Sequence, residues 1–561
     1  MHRVHATLLP LVLLLVQLAN ANLVPRVVSS FAGETSTFDF PPNGATVTAT
    51  DTVNFPDPSE VGFAGPTPTG DEAEAIATAP VLAKVDTAFP LIDPKAAGKT
   101  QKAFRVIDHW GNLSPFQSID SSVYGLQDAS PVVPDGCELR QVHLLHRHGA
   151  RYPTGGSDPS AFAAKVHAAA TNGTGFSPKG ALSFLNTWTY KLGAEILTPF
   201  GREQLFNLGV GFRVKYGDLL KGFDDLPVWR TTSEARMVDS ALHFAAGFFG
   251  VQSYQSDYHQ LIEIESDGFN NTLAPYEVCT NANNAAGSFG SIQAAKWVQI
   301  YLNKTVKRLA PLLPGFNLTV TDVFAMQQTC AYETVALGFS SFCGLFTEEE
   351  WKGYEYANDL QFWYSNGPGG PTNAAQGIGY VQETISRLTQ TRITNFDTSV
   401  NGTNVASNIT FPLNQPIFVD ATHDTVISAI LVAFNFTALA ANGPLPTDHI
   451  PKDQSYIVTR IAPFASNLVG QVLACPAKSA APTHIRWILN DAVLPLTGVR
   501  GCGHDDKNGL CELDAFISGT KARIAEVDFN FDCFANYTIP VPDNIIDGRF
   551  PPALRNATTM A

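Results

Sequence analysis

The chain has 561 residues, a formal net charge of −15 at pH 7 and a hydrophobic fraction of 45%. This length is sufficient for one large core, or for a core with a second lobe. The acidic balance argues against nucleic acid and anionic membranes as partners, so a basic pocket would be a local exception in this protein.

The first 21 residues have the features of a secretory signal peptide. Arg3 gives a positive start, residues 8–18 are apolar apart from Pro10 and Gln17, and Ala19-Asn20-Ala21 is a small-x-small cleavage site. The apolar run is well short of the roughly twenty residues needed to cross a bilayer. We therefore expect cleavage after residue 21 and a product that is secreted without a membrane anchor.

Residues 22–102 are rich in Thr, Pro, Gly, Ala and Asp, and their apolar residues follow neither the strand period nor the helix period. Such a segment has no face to bury, so we predict a disordered leader or propeptide. The folded domain is predicted over residues 103–561, beginning near Phe104.

Sequons and cysteines agree with secretion. Ten Asn-x-Ser/Thr sequons in a chain with a signal peptide favour N-linked glycans. Eight cysteines in an oxidising compartment favour four disulfides, with the pairing left open. Zinc ligation is the alternative, but no C-x-x-C pair or Cys/His cluster with zinc spacing occurs, so we predict no metal. The sequons are at Asn112, Asn172, Asn270, Asn303, Asn317, Asn401, Asn408, Asn435, Asn536 and Asn556.

The folded domain alternates strand and helix patterns. An alternating apolar run, 139–146, predicts a strand that leads into the polar stretch Arg147–Thr154. A second predicted strand leads through a polar turn into a helix, and a third leads into His423-Asp424 and another helix. Helices are predicted at 161–170, 180–196, 201–219, 241–248, 294–307, 320–337, 351–360 and 428–434, and strands at 227–230, 417–420, 457–464, 469–475 and 484–489, with a turn at 490–491.

This order predicts an α/β fold with a mostly parallel central sheet flanked by helices. Helix patterns at about 155–225 and 283–400 predict an inserted helical lobe. In such sheets, functional side chains lie at the carboxyl ends of the strands. The three strand-to-helix corners are therefore expected to form one site.

The residues at those corners suit phosphoryl transfer. Displacement at phosphorus needs a nucleophile in line with the leaving group, cations over the phosphate oxygens and a proton for the leaving oxygen. His148 could attack and form a phosphohistidine, and Asp424 could protonate the leaving alcohol and then activate water. No metal or cofactor is needed, because guanidinium groups supply the positive charge. The predicted oxygen ligands are Arg147, Arg151, Arg230 and His423.

Residues 144–154, Leu-Leu-His-Arg-His-Gly-Ala-Arg-Tyr-Pro-Thr, and the pair His423-Asp424 resemble the two signatures of the histidine acid phosphatases, in the branch with fungal phytases and acid phosphatases. The resemblance extends from about residue 109 to about residue 535. It implies the phosphoglycerate-mutase-like sandwich and the hydrolysis of phosphate monoesters. Further similar stretches are Arg230-Thr231-Thr232 with Arg236, 343–347, 376–380 and 462–466.

The resemblance also implies roles for individual residues. His148 is the expected nucleophile and Asp424 the expected proton donor, with the four oxygen ligands given above. Arg236 is expected in a supporting or surface ion pair, and His143 and His146 in packing or hydrogen bonding. The implied disulfides are Cys137 with Cys475, Cys279 with Cys533, Cys330 with Cys343, and Cys502 with Cys511.

Substrate preference is where the chain departs from this family. Relatives that prefer phytate carry lysines after the nucleophile motif and in the helical lobe, but here residues 155–160 include Asp158, and the second position holds Gln361-Phe362. Asp158 would repel a polyphosphate, so strong selectivity for phytate is not expected. Thr425, where many relatives have Asn, could change the orientation of Asp424.

We therefore predict a secreted phosphomonoesterase that works in acid, because a carboxyl with a reference pKa near ~3.9 is seldom protonated at neutral pH. Its predicted partner is a small phosphate monoester, and the oligomeric state is left open. Two alternatives remain: a mutase-like phosphotransferase that uses the same phosphohistidine, and a catalytically inactive secreted protein that binds anions.

Overall fold

The computed structural model describes residues 104–171, 175–503, 506–541 and 543–555. The predicted signal peptide, the predicted leader and the sequons at Asn172 and Asn556 lie outside these residues. Within the described ranges, no helix combines the length and the apolar character needed to cross a membrane.

A mixed sheet of eight strands forms the centre of the described structure. The strands are β1 Glu138–Arg147, β2 Val228–Thr232, β3 His259–Glu263, β4 Ile417–Thr422, β5 Asn467–Ala474, β6 His484–Leu489, β7 Ala492–Leu494 and β8 Cys511–Glu512. Their order is β3-β2-β4-β1-β5-β6-β7, and β8 pairs with β6. The pairings among β3, β2, β4 and β1 are parallel, and those of β5 to β8 are antiparallel.

The predicted α/β class is confirmed, and half of the sheet is parallel. The antiparallel half follows from a short connection, since Asn490 and Asp491 have φ values of 49° and 70° and join β6 to β7 by a two-residue hairpin. The parallel strands are joined by long segments that contain helices, as parallel pairing requires.

The helices are α1 Asp158–Thr171, α2 Pro199–Tyr216, α3 Ala235–Phe249, α4 Phe289–Tyr301, α5 Asn303–Leu309, α6 Val320–Leu337, α7 Glu348–Ser365, α8 Asn373–Thr389, α9 Gly402–Ala406, α10 Asp424–Ala433, α11 Val458–Ile461, α12 Leu513–Glu526 and α13 Phe529–Phe534. Many of them fall in the two segments predicted as the helical lobe, whose limits stay a prediction.

Two sequence-based predictions were wrong in detail. The strand predicted at 457–464 is the single helical turn α11, where the backbone N–H of Val458 donates to Asp359 Oδ1 at 2.7 Å. The helix predicted at 180–196 is a 3₁₀ helix at Gly180–Asn186 followed by irregular chain. In that chain the Trp188 indole donates to buried Glu333 at 2.8 Å, so tertiary contacts prevail over local propensity.

Helices cover both faces of the sheet. Leu144 of β1 belongs to a core with Phe212 of α2 and Phe244 of α3. The next residue, Leu145, belongs to a second core with Ile427 of α10. Successive residues of a strand point to opposite faces, so β1 is buried on both sides. Its carboxyl end is therefore held rigidly where the nucleophile motif begins.

Four disulfides are present, and they are the pairs that the resemblance implies: Cys137–Cys475, Cys279–Cys533, Cys330–Cys343 and Cys502–Cys511. The first joins the residue before β1 to the residue after β5, across an antiparallel pair. It ties the two halves of the sheet together, next to the strand that carries the nucleophile motif.

Candidate active site

The sheet brings two of the three predicted corners together directly. Arg147 at the end of β1 lies opposite Thr422 at the end of β4, and the backbone N–H of His148 donates to the Thr422 carbonyl at 3.2 Å. The rings of His148 and His423 meet edge to face with centroids 5.7 Å apart. The carboxyl ends of β1 and β4 thus form one pocket floor.

His148 has the protonation state that a nucleophile needs. Its Nδ1 lies 2.8 Å from the carbonyl oxygen of Gly149, which can only accept, so Nδ1 carries the hydrogen and Nε2 keeps its lone pair. Burial and then the positive charges of Arg147, Arg236, Arg151 and His423 hold the pKa of His148 well below its ordinary value. The imidazole is therefore neutral even in mild acid.

Asp424 is the first residue of α10 and is held from two sides. Arg147 Nη2 lies 2.7 Å from Asp424 Oδ2, and the Asn112 amide donates to the same oxygen at 2.8 Å. Burial raises the pKa of Asp424, but Arg147, Asn112, Arg151 and His423 outweigh it, so the pKa lies below its ordinary value. This carboxyl is therefore ionised near neutral pH, and an anion bound to Arg147 would raise its pKa by offsetting the charge of that guanidinium.

Thr425 does not control Asp424 through its side chain. The contact is from the Thr425 backbone N–H to Asp424 Oδ1, at 2.9 Å. A backbone donor at a helix start is available whatever the side chain, so Thr for Asn preserves this bond.

Arg147 is entirely buried and its guanidinium is fixed by several partners. Nη1 donates to the backbone carbonyls of Asn112 and Ala462, and the guanidinium lies over the Phe464 ring, 4.4 Å from its centroid. These contacts hold the group beside His148 in one orientation, so an anion bound to it would be placed by the fold.

His423 is anchored to an acid in the segment after β3. Its Nε2 lies 3.0 Å from Glu265 Oε1, and the Tyr276 hydroxyl donates to the same carboxylate. Burial of Glu265 is outweighed by His423 and by hydrogen bonds, so its pKa falls to about 2. Glu265 therefore stays ionised and fixes the ring of His423.

The structure does not place Arg230 in this pocket. Its three nitrogen atoms contact three buried carboxylates: Nε lies 2.6 Å from Asp420, Nη2 2.7 Å from Glu383 and Nη1 3.2 Å from Glu263. Asp420 also receives two bonds from Arg387, at 2.6 and 3.1 Å. Arg230 is 2% exposed. The predicted phosphate ligand is thus the centre of an internal ion-pair network beneath the site.

Arg236, which the sequence analysis expected in a supporting role, stands in the pocket instead. It lies in the first turn of α3. Among the positive charges that lower the pKa of His148, its effect is second only to that of Arg147. Glu195 Oε2 lies 3.0 Å from its Nη1, and Glu234 contacts its Nη2. A sequence signal did exist: a helix start after a strand in a parallel sheet faces the site, whereas a residue inside the strand is buried.

Arg151 is the third guanidinium around His148. Its Nη1 donates to the Tyr152 carbonyl at 2.8 Å, and its charge lowers the pKa values of both His148 and Asp424. Arg147, Arg151, Arg236 and His423 therefore surround the nucleophile with positive charge, and Asp424, Glu195, Glu234 and Glu265 balance it.

Close backbone packing fixes the nucleophile loop. A Cβ on Gly149 would lie 2.1 Å from the Gly201 carbonyl oxygen, and one on Gly201 would lie 1.9 Å from the Ala150 carbonyl oxygen. Neither space accommodates a methyl group. The residue after His148 thus rests directly on the first turn of α2.

The two histidines before the motif have the packing roles predicted for them. His143 stacks on Phe418 with centroids 4.8 Å apart, and His146 stacks on Phe244 at 5.1 Å. Burial lowers the pKa of His143 to about 3 and that of His146 to about 4, so both rings are neutral. They belong to the core beneath the pocket.

The loop after the nucleophile motif and the Gln361-Phe362 position of α7 carry no cation. Residues 155–157 form a loop in which Gly155 N–H donates to Glu195 Oε1 at 2.8 Å, and Asp158 begins α1. In α7, Gln361 is exposed and Phe362 is buried, so neither supplies positive charge to a polyanion.

Three groups with metal-ligand chemistry come together within the described ranges. Atoms of Glu234, Glu265 and His423 lie within 4.8 Å of one another. Each already has a partner in the pocket, because Glu234 pairs with Arg236, and Glu265 pairs with His423 and Tyr276. We interpret the group as charge balance for the cations around His148.

Comparisons with known proteins place the chain in a family. Residues 138–490 match the family model described as the histidine phosphatase superfamily (branch 2). Phytase A of Aspergillus fumigatus is 34% identical over 427 residues, which cover 73% of this chain and 87% of that protein. Phytase A of Emericella nidulans is 33% identical over 457 residues, which cover 78% and 94%.

A solved structure agrees with the sequence comparisons. The crystal structure of the phytase from D. castellii matches with a TM-score of 0.65 and 26% identity, and the match covers 82% of this chain and 95% of that one. The segment that fits the family model contains both His148 and the His423-Asp424 pair. The chain belongs to branch 2 of the histidine phosphatase superfamily.

Proposed function

We propose that this protein is a secreted phosphomonoesterase that hydrolyses phosphate monoesters, phytate among them, through a phosphohistidine at His148. The observation that carries the proposal is a buried, neutral imidazole whose Nδ1 is hydrogen bonded to Gly149, which leaves the lone pair on Nε2, and whose pKa is lowered by burial and by the charges of three nearby arginines and His423. A nucleophile surrounded by fixed cations suits attack on a phosphate group. The relatives named phytase A support phytate as one substrate.

In the first step, His148 Nε2 attacks phosphorus while the bond from phosphorus to the ester oxygen breaks. Arg147, Arg151, Arg236 and His423 bind the remaining phosphate oxygens. Binding of the phosphate to Arg147 raises the pKa of Asp424, so Asp424 takes up a proton from solvent and donates it to the departing ester oxygen as the bond to phosphorus breaks. In the second step, Asp424 takes a proton from water, the water oxygen attacks phosphorus, and the bond between nitrogen and phosphorus breaks.

Secretion, N-linked glycans and broad specificity belong to the same proposal. The four disulfides support an oxidising compartment. The lack of cations at 155–158 and at Gln361-Phe362 supports activity on simple esters as well as phytate. The reacting phosphate is held by the pocket itself, so phytate needs no basic rim in order to be cleaved.

The test is phosphate release by the purified secreted protein, with EDTA present, from phytate and p-nitrophenyl phosphate between about pH 2.5 and 7.5. We expect comparable rates on both esters and an acidic optimum. Strong preference for phytate would contradict the specificity, phosphate transfer to added glycerol in excess of release would indicate a phosphotransferase, and no activity would indicate an anion-binding protein. The His148→Ala variant should form no phosphoenzyme, and trapping one in it would refute the nucleophile assignment.

A further inference from the structure

Glu234 is a carboxylate inside the cation cluster to which the mechanism gives no task. It precedes α3, and its side chain is 36% exposed. Its Oε2 contacts Arg236 Nη2 and lies 3.8 Å from His423 Nε2. One oxygen thus faces two of the groups that would hold a phosphate oxygen.

The other carboxylates near these cations are fixed to the fold. Glu195 joins Arg236 to the Gly155 backbone, and Glu265 is fixed by His423 and Tyr276. Glu234, by contrast, makes no capping bond to its own helix, and in the described part of the chain its ion pairs are with Arg236 and His423 only. Glu234 is therefore the carboxylate that an incoming anion could displace without breaking the scaffold.

Several charged groups face Glu234. Arg236 approaches from α3, His423 from the corner between β4 and α10, Glu265 from the segment after β3, and Glu195 from the segment before α2. The charge of Glu234 also raises the pKa values of Arg151, Tyr276 and Glu277. Burial, together with Glu265 and Glu195, raises the pKa of Glu234 despite the opposing effects of Arg236 and His423. Protonation in mild acid would therefore release its cationic partners.

We propose that Glu234 is a specificity-determining residue that acts as a tethered competitor for the substrate phosphate. When ionised, it pairs with Arg236 and lies beside His423, and a phosphate must displace it. When protonated, it no longer competes for either group. The inference rests on the proposed function of this pocket, and it makes Glu234 a gate that weakens phosphate binding as pH rises.

The direct test is calorimetric titration of the purified full chain with inorganic phosphate at about pH 4 and pH 7. The variants are Glu234→Gln and, as a matched control, Glu277→Gln, which removes the same charge from a neighbour that does not pair with Arg236. We expect Glu234→Gln to bind phosphate on the order of tenfold more tightly than wild type at pH 7, with a much smaller difference at pH 4. Glu277→Gln should match wild type within about twofold.

Three results would overturn the gate: unchanged or weaker phosphate binding by Glu234→Gln at pH 7, an equal gain at both pH values, or the same gain in Glu277→Gln. The last would show a general effect of net charge. Thermal melting of each variant checks that the fold is retained.

Turnover of p-nitrophenyl phosphate separates this inference from the proposed function. We expect Glu234→Gln to lower KM at pH 7 with little change in kcat, which extends the activity profile toward neutral pH. If wild type hydrolyses the ester and the variant's KM is unchanged, the gate is wrong and the function stands. If neither protein hydrolyses it but the calorimetric gain is present, the function is wrong and the gate stands.

Discussion

Arg147 Nη2 lies 2.7 Å from Asp424 Oδ2, so the proposed phosphate ligand and the proposed proton donor are ion-paired before substrate arrives. Because of this ion pair, the protonation state of Asp424 depends on whether an anion is bound to Arg147. Without an anion the acid is ionised, and an anion on Arg147 raises its pKa. Substrate binding itself thus prepares the proton transfer.

The first prediction concerns Asp424. Asp424→Asn should still form a phosphoenzyme from p-nitrophenyl phosphate, whose leaving group needs little protonation, and should lower turnover of glycerol phosphate by about 10²–10⁴-fold. Rapid-quench kinetics with both esters measures this difference. Thr425→Ala is the control, because only its backbone contacts Asp424. Near-normal turnover of glycerol phosphate by Asp424→Asn would show that the donor is another group.

The second prediction separates the two arginines. Arg236→Ala should lower kcat/KM by about 10²–10³-fold without a change in melting temperature, because it removes a contact to the reacting phosphate. Arg230→Ala should lower the free energy of unfolding by about 3–5 kcal/mol, because it leaves buried Glu263 and Glu383 without their cation and Asp420 with Arg387 alone. Urea unfolding and steady-state kinetics measure both effects. A stable Arg230→Ala protein that no longer binds phosphate would restore the assignment made from sequence.

The site residues show where the sequence was sufficient to predict the pocket and where it was not. His148, Arg147 and Asp424 occupy contiguous motifs at strand ends, so their convergence could be predicted from strand order alone. Arg230 and Arg236 are six positions apart in a stretch that turns from strand into helix, and the start of the helix was the signal that favoured Arg236. The motif reasoning chose Arg230, which ends the predicted strand but lies inside β2, where partners on β3, β4 and α8 hold it below the site.

Other failures have the same physical origin. Residues 457–464 contain enough β-branched side chains to predict a strand, but Ala462 N–H donates to the Val458 carbonyl and closes one turn of helix, and Asp359 of α7 accepts from the Val458 N–H at its start. The acid at Glu234 was overlooked because one of its two partners, His423, is distant in sequence and is brought beside it only by the fold. Local pattern predicted where the elements are, and non-local contacts decided how they end.

The third prediction concerns stability and pH. Burial raises the pKa of Glu263, Glu333 and Asp532 to about 7. A carboxyl with a raised folded-state pKa contributes its full stability below its unfolded pKa of about 4.5 or lower, and loses it as pH rises toward 7. Glu265 has the opposite effect, because its pKa is lowered to about 2. Its contribution to stability is lost as pH falls from about 4.5 toward 2.

His143 and His146 oppose the three acids, because burial lowers their pKa values to about 3 and about 4 and the unfolded chain takes up their protons as pH falls below about 6.5. The acids destabilise the fold above about pH 6.5, and the histidines and Glu265 destabilise it below about pH 4.5, so we expect the highest melting temperature between these two values.

Glu333→Gln isolates one contribution to that profile. Glutamine can accept from Trp188 and donate to the Ser340 hydroxyl, so it imitates the protonated acid. The variant should melt near the wild-type temperature at pH 4.5 and be more stable than wild type at pH 7.5 by up to about 3 kcal/mol. Thermal melts of the variant and the wild type at the two pH values measure this difference. An equal gain in stability at both pH values would mean that Glu333 is ionised at both.

The fourth prediction concerns the nucleophile loop. Gly149→Ala should shift His148 and abolish most activity, because its Cβ would lie 2.1 Å from the Gly201 carbonyl oxygen. Gly211→Ala, in α2 and with no atom within 4 Å of the added Cβ, should keep full activity and stabilise the protein by up to about 1 kcal/mol. Assays and melts of the two variants measure this contrast. Full activity in Gly149→Ala would show that the loop tolerates a backbone shift.

The amide of Asn112 has a consequence for how the protein is produced. The same nitrogen that donates to Asp424 is the atom to which an N-linked sugar is attached, and Ser114, the third residue of that sequon, is fully buried. A sugar there would sit at the mouth of the pocket beside the proton donor. The sequons are therefore not equivalent: an expression host that modifies Asn112 would yield a fraction of inactive molecules.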